Sequence, residues 1–312
     1  MNYVIVDYCP ATLREGEESY GRTGRKKLFD GKLVHHVLPY TSPNLNSDFE
    51  DVYLENKTSI SISGVQEKFS VILEKNVLRL TKPGEHGRYL LKPIPRFGKN
   101  ADQMPANEHL TMQIAAQVFG METAENALIF FETGEPAYIT KRFDVLKDGS
   151  KRAQEDFAAL CERTPYTHGD NYKYEGSYLD MFTVLKKYVP AYAVEAPKLF
   201  KLIAFNFLFS NGDAHLKNFS LVETVLGDFK LSPAYDLLNS RMHINDSDFA
   251  MSEGLLPKNK KRGRVEENKM MSDLVSSSDM VKELIDHSFL NEKAKRSYRQ
   301  AYETRLKKLL RD

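Results

Sequence analysis

The sequence predicts an α+β fold of two lobes, the first β-rich with a single helix and the second mostly helical. Strand-like runs separated by turn residues cluster between Lys68 and Lys141, alternating apolar and polar side chains as half-buried strands do. Beyond Asp144 the apolar residues recur at helical spacing instead. With 312 residues, 41% of them hydrophobic, the chain carries enough apolar material for one large or two modest cores.

Residues 1–58 begin with a short apolar strand, then turn polar and rich in turn formers, and are expected to pack as an extension on the next unit. Residues 59–144 make the β-rich lobe. Within it 68–73, 77–80 and 88–92 read as an antiparallel meander. A helix over 107–119 puts Leu110, Ile114, Ala115 and Val118 on one face, and 127–131 and 137–141 form a strand pair about the turn at Gly134. Residues 145–312 make the helical lobe, with helices over 154–162, 177–188 and 197–210, a hairpin from 219–222 and 229–231, a polar basic loop over 257–269, and closing helices over 278–288 and 291–310.

Lys and Arg number 44 against 43 Asp and Glu, so the net charge of +1 exerts no global pull on nucleic acid or acidic membranes. Direct DNA binding is not expected, and the basic run 258–264 reads as a solvated loop. Cys9 and Cys161 lie far apart, with no C-x-x-C pair and no paired histidines that would build a zinc site. His35-His36 reads as surface, because adjacent strand side chains point apart. The first residues lack the basic and long apolar regions of a leader, and no segment approaches the roughly 18 consecutive apolar residues of a membrane span. The expected setting is a reducing cytoplasm.

Chemistry concentrates in Asn211-Gly212-Asp213-Ala214-His215-Leu216-Lys217-Asn218 and in Asp236. An Asp five residues before an Asn, with a second Asp beyond a short hairpin, is the minimum apparatus for moving a phosphoryl group from Mg-ATP. Asp213 would accept the proton of an incoming hydroxyl, while Asn218 and Asp236 would hold Mg²⁺. Read locally, the same residues also make a helix-ending turn and a turn aspartate. Lys92 closes a strand where a cation for the ATP phosphates is needed, and Glu108, opening the next helix, can pair with it or simply complement the helix dipole. The stretch 59–68 holds one glycine among serines and ends in Lys68. It is either a Ser-rich turn or a loop whose N–H groups approach phosphates. His215 reads as a buttress of the 211–218 backbone rather than a proton carrier.

Seven blocks in order carry a resemblance. They are Ser61-x-Ser63-Gly64-Val65-Gln66-x-Lys68, Leu91-Lys92-Pro93, Asn107-Glu108-His109, Lys141-Arg142-Phe143-Asp144, Gln154-Glu155-Asp156, the 211–218 stretch and Ser232-Pro233-Ala234-Tyr235-Asp236. They resemble the HipA-like family of bacterial serine/threonine kinases, toxins of toxin–antitoxin operons. The 58 residues ahead of Ser59 look like the short HipT branch, in which the remaining subdomain is a separate small antitoxin.

The resemblance implies a two-lobed protein-kinase-like fold with ATP and Mg²⁺ between the lobes. It implies a phosphate loop with Ser63, Gly64, Val65 and Lys68, the phosphate lysine Lys92, and Asp213 as base. Asn218 and Asp236 would be the metal ligands, and His215 would stand beside the nucleotide. Lys141, Arg142 and Phe143 would form the hinge against adenine, with Asp144 near the ribose. Ser61 and Ser63 match a pair that HipT-type kinases autophosphorylate. Expected partners are an aminoacyl-tRNA synthetase substrate, tryptophanyl or glutamyl by analogy, the small antitoxin and a DNA-binding HipB-like antitoxin. The competing functions are a small-molecule kinase of the aminoglycoside or choline type, which uses a similar Gly-Asp-x-His-x-x-Asn loop, and a catalytically dead kinase fold serving as a binding module.

Overall fold

The structure, a computed structural model, describes residues 4–43, 67–96, 98–244, 249–251 and 277–311. Strands β1 (Phe69–Glu74) and β2 (Val77–Leu80) are joined by Lys75 and Asn76, both at positive φ, 47° and 67°. Two such residues make a type I′ turn, whose twist matches that of the flanking strands. With β3 (Tyr89–Pro93), β4 (Asn126–Phe130) and β5 (Pro136–Lys141) they form an antiparallel five-stranded sheet of order β2-β1-β3-β5-β4. Because side chains alternate along a strand, Tyr89, Leu91, Ala137 and Ile139 join the core on one face, whereas Lys92 and its cross-strand neighbour Tyr138 lie on the other.

The first face is covered by the segment 4–43, whose Cys9, Tyr20, Leu28, Phe29 and Leu38 share a buried cluster with Val71, Leu91, Ala127 and Ile129. Over the described residues 4–7 the expected opening strand does not form. The chain folds back at once, with Gly16 N–H on the Asp7 carbonyl (3.3 Å) and Cys9 N–H on that of Arg14 (2.8 Å), and leaves only an isolated Tyr8–Glu15 bridge. A helix, α1 (Arg22–Leu28), appears where seven mostly polar residues give no periodic apolar signal. The segment also closes the free edge of β4. Phe130 bonds the His36 carbonyl and the Leu38 N–H at 2.8 and 2.7 Å, and the Tyr20 hydroxyl donates to the Leu128 carbonyl at 2.7 Å, which removes an edge that would otherwise template pairing with another chain. His36 is therefore buried rather than on the surface, its ring stacked on His35 at 4.7 Å and its nitrogens at Ser19 Oγ and the Val4 carbonyl.

Helix α2 (Met104–Gln117) lies against the second face and is buried continuously from Met104 to Ala115. The helical lobe follows with α3 (Phe157–Leu160), α4 (Pro165–His168), α5 (Tyr178–Tyr188), α6 (Tyr192–Leu208), α7 (Ser278–His287) and α8 (Glu292–Arg311). A second sheet, β6 (Gln154–Asp156), β7 (Ser220–Glu223) and β8 (Phe229–Leu231), is inserted in it in that order.

Helix α2 starts at Met104, three residues ahead of expectation, and two helices of the second lobe also start elsewhere than expected. Residues 154–156 pair with 220–222 as a strand, and Asp156 then caps α3 through the Ala159 N–H at 3.0 Å, so the helix starts only at Phe157. Helix α6 begins five residues before Pro197. The carbonyl this proline leaves unpaired belongs to exposed Ala193, where water can serve it. The first turn is held instead by buried Glu195, which accepts the Leu231 N–H at 3.2 Å. The basic loop expected over 257–269 lies outside the described residues. No described helix is long and apolar enough to cross a membrane.

Tyr20→Phe keeps the ring but strands the buried Leu128 carbonyl, a change that costs about 1–3 kcal/mol. Urea unfolding of the variant should show a lower midpoint with an unchanged slope.

Candidate active site

Alternation along β3 turns Lys92 toward α2, and the α2 residue it meets is Glu108, with Nζ–Oε1 at 2.6 Å. The same ammonium reaches Asp236 Oδ1 at 2.5 Å and stands 5.2 Å from the centroid of the Tyr138 ring. Lys68, just ahead of β1, adds a second cation 3.5 Å from Asp236 Oδ2. Lys92 and Glu108 are 3% and 1% exposed, so these charges interact with little screening. Burial works against Lys92, yet Asp236 and Glu108 together push its pKa above the ordinary value. Burial also opposes ionisation of Asp236, but Lys68 and Lys92 hold that carboxyl well below the usual carboxylate range. At Glu108 burial wins over Lys92 and the carboxyl moves up. At Lys68 burial likewise wins over Asp236 and the ammonium moves down.

The stretch 211–218 starts where α6 ends in a Schellman turn. Ser210 takes φ +55° and its N–H bonds the Phe207 carbonyl at 3.1 Å, while Asn211 N–H bonds that of Asn206 at 2.8 Å. Asn211 Nδ2 touches the Asp236 carbonyl at 3.4 Å, and Ser240 Oγ bridges Gly212 N–H and the Ser210 carbonyl. Asn107, next to Glu108, clamps both backbone groups of Asn239 at 2.9 and 3.0 Å. Helix α2 thus holds the lysine cluster and the Asp236 segment together. Asp236 itself has φ +54°, a left-handed conformation that costs a non-glycine residue about 1 kcal/mol or more.

Asp213 is buried, and its Oδ1 accepts the Tyr174 hydroxyl at 2.6 Å. His215 Nε2 lies 4.0 Å from the same oxygen. The His215 N–H donates to Asn218 Oδ1 at 3.2 Å, closing the loop on itself and leaving that amide oxygen one lone pair. Tyr235 joins this loop to the strand that leaves the first sheet, its hydroxyl on the Lys217 carbonyl at 3.0 Å and its ring 5.8 Å from Phe143.

The structure therefore brings Lys68, Lys92 and Asp236 together with Glu108, and sets Asp213, His215 and Asn218 on one turn beside them. Arg142 and Asp144 pair with each other, at 3.0 and 2.5 Å, and neither backbone group of Phe143 has a hydrogen-bond partner among the described residues. The Lys141 side chain does not join them. It lies on the face of β5 shared with Ile139 and reaches Asp30 Oδ1 at 3.0 Å, because alternation turns it away from Tyr138. Ser61, Ser63, Gly64 and Val65 lie outside the described residues. Tyr174 was not anticipated: its Lys-Tyr-Glu setting has no local signature, and only the fold carries it across 39 positions to Asp213.

Among the described residues no group of three His, Cys, Asp or Glu forms a metal cluster. The hard oxygens of Asp236 and Asn218 suit a Mg²⁺ ion that takes its remaining ligands from water and phosphate.

A β-rich lobe packed on a helical one, with a Lys–Glu pair joining sheet and helix, defines a protein-kinase-like fold. The chain belongs to the family of the HipA-like C-terminal domain, whose model matches residues 60–302. A "Putative kinase" of Haemophilus influenzae is 28% identical over 247 residues, 77% of this chain and 68% of that protein. "Putative kinase Y4dM" of Sinorhizobium fredii is 31% identical over 69% of this chain, which spans only 54% of it. Among solved structures, HipA of Shewanella oneidensis, in complex with HipB and operator DNA, superposes with a TM-score of 0.58 at 19% identity, over 82% of this chain and 65% of that one. The Helicobacter pylori proinflammatory kinase CtkA gives 0.52 at 11% identity, over 82% and 98%.

His215 is 1% exposed, and burial followed by Lys173 lowers its pKa to about 3; burial brings His109 to about 3 as well. An unfolded histidine titrates near pH 6.5. Between these values the unfolded chain binds the extra proton, so stability rises with pH through that window, by at most about 1.4 kcal/mol per pH unit for each ring, and levels off above it. Denaturant titrations at pH 5 and 7 should show the chain weaker at pH 5, and His215→Asn should narrow the difference.

Proposed function

We propose that this chain is a serine/threonine protein kinase of the toxin class, transferring the γ-phosphate of ATP to a hydroxyl of a translation enzyme, an aminoacyl-tRNA synthetase by analogy. The observation that carries the reading is Lys92, buried and bonded at once to Glu108 and Asp236, with Asp213 on the adjoining turn. A lysine held by a helix glutamate, a metal aspartate and a base is the apparatus that phosphoryl transfer requires.

In this mechanism Lys92 and Lys68 meet the phosphates, and the peptide groups of Phe143, without a hydrogen-bond partner among the described residues, offer a donor and an acceptor to the adenine edge. The acceptor hydroxyl gives its proton to Asp213 as its oxygen bonds to the γ-phosphorus, and the bond to the ADP oxygen breaks. Mg²⁺, held by Asp236 and Asn218, would neutralise charge on the phosphate oxygens. Ser61 and Ser63 stand seven and five residues ahead of Lys68 in the sequence, and Lys68 reaches Asp236. A phosphate there, adding about −1.5 to −2 charge, would compete with those of ATP and lower activity. The natural restraint is a HipB-like antitoxin, together with a small antitoxin partner, and the setting is the cytoplasm.

Asp213→Asn should cut phosphoryl transfer by about 100-fold or more while leaving the unfolding midpoint in place, since a positioned base contributes 10²–10⁴. Labelled ATP added to a cell lysate should mark one protein band; label appearing only in a metabolite would replace this reading with a small-molecule kinase. Ser61→Asp and Ser63→Asp should each slow labelling of that band, and undiminished rates in both would remove the regulatory part.

A further inference from the structure

A carboxylate that takes a proton from an incoming hydroxyl must be held in one rotamer, and Asp213 sits in a loop without regular secondary structure. One contact that holds it comes from outside that loop. Tyr174, between α4 and α5, donates its hydroxyl to Asp213 Oδ1 at 2.6 Å. His215 Nε2, at 4.0 Å from the same oxygen, is beyond hydrogen-bonding distance, and the nearby Lys217 is engaged with Asp156 at 2.6 Å. We infer that Tyr174 is a positioning residue of the base: its phenol donates to one carboxylate oxygen and so fixes the rotamer from which Asp213 receives the acceptor's proton. The inference rests on the role proposed for Asp213.

The phenol is itself held on several sides. Its ring meets His215 edge-on, with centroids 5.0 Å apart at 76°, and the Lys173 ammonium lies over it, 5.0 Å from its centroid. The backbone is fastened as well, because the Lys173 carbonyl accepts the Leu216 N–H at 3.0 Å, which joins the 169–176 segment to the catalytic turn. Downstream, Ser177 caps α5 reciprocally with Asp180, and Arg163 grips Asp180 at 2.7 Å. A side chain anchored in this way can transmit the position of the helical lobe to one carboxylate oxygen. Lys173 brings positive charge to the same place, so a carboxylate desolvated by the acceptor keeps a cation near it. Misplacement of a reacting group by about 1 Å costs on the order of 100-fold, so the loss of one anchor with the other contacts kept should cost less.

The test uses the full chain and Tyr174→Phe, which retains the ring contacts with His215 and Lys173 and removes only the hydroxyl. Transfer of label from γ-labelled ATP to protein is followed across a range of ATP concentrations, with Asp213→Asn alongside. The expected result is a maximal rate lower by about tenfold, an unchanged ATP concentration at half-maximal rate, and a wild-type unfolding midpoint. A rate equal to or above wild type overturns the inference, as does an effect confined to ATP affinity or phosphate found on Tyr174 itself. If Asp213→Asn is silent while Tyr174→Phe works at full rate, only the role of Tyr174 falls. If Asp213→Asn remains active, or the wild-type chain transfers no label, the base assignment falls first.

Discussion

The bond network around one buried ammonium organises this protein. Lys92 joins a strand, a helix and the segment beyond the second sheet, through Glu108 and Asp236. Burying such charges is expensive unless every partner is present, and here each ion has its counter-ion: two carboxylates face two lysines once Lys68 is included. The network therefore does more to define position than to add stability. Replacing it with apolar residues of equal volume would cost little energy, but Asp236 would lose its fixed distance from the sheet. Asn107, one residue before Glu108, applies the same logic to Asn239, so the most deeply buried helix of the first lobe sets the geometry of both lobes.

The opposite wall of the site rests on packing. Helix α6 ends under the stacked rings of Phe209 and Tyr302, 5.2 Å apart, and Tyr298 ties α8 to α2 through Thr111 at 2.8 Å. Arg305 is fully buried with its guanidinium over Phe207 at 4.6 Å. The turn that carries Asp213 thus leaves a helix end clamped by the last helix of the chain. A reactive side chain on a loop gains precision when its supporting shell is locked in this way.

Much of this was legible before any coordinates. The strands of the first sheet and helices α5, α7 and α8 follow from alternation or helical periodicity, because most have one face in the core, while β4, buried throughout, reads as a short apolar run. What failed had no such face. Residues 154–156 form a strand only because 220–222 lie beside them, and α6 passes through Pro197 because Glu195 is tied to β8. Lys92, Glu108, Asp213, Asn218 and Asp236, the groups that the proposed phosphoryl transfer uses, stood out by residue type and spacing. The meeting of Lys92 with Asp236, 144 positions apart, and that of Tyr174 with Asp213 belong to tertiary structure, which no local pattern encodes. Lys141 shows the reverse limit: a motif marks the strand end correctly, yet alternation sends the ammonium to the other face.

Some departures from local preference fall at the site. Ser210 and Asp236 occupy left-handed backbone without being glycine, and neither ring nitrogen of buried His215 has a hydrogen-bond partner among the described residues. Asn211 keeps a buried side-chain oxygen with no partner there either. Each departure costs on the order of 1–3 kcal/mol, and a core selected only for stability would shed them. They persist within a stretch of chain that also holds the buried ion network, where local rules and global fold disagree. Such disagreement is expected where a structure is shaped for chemistry as well as for folding.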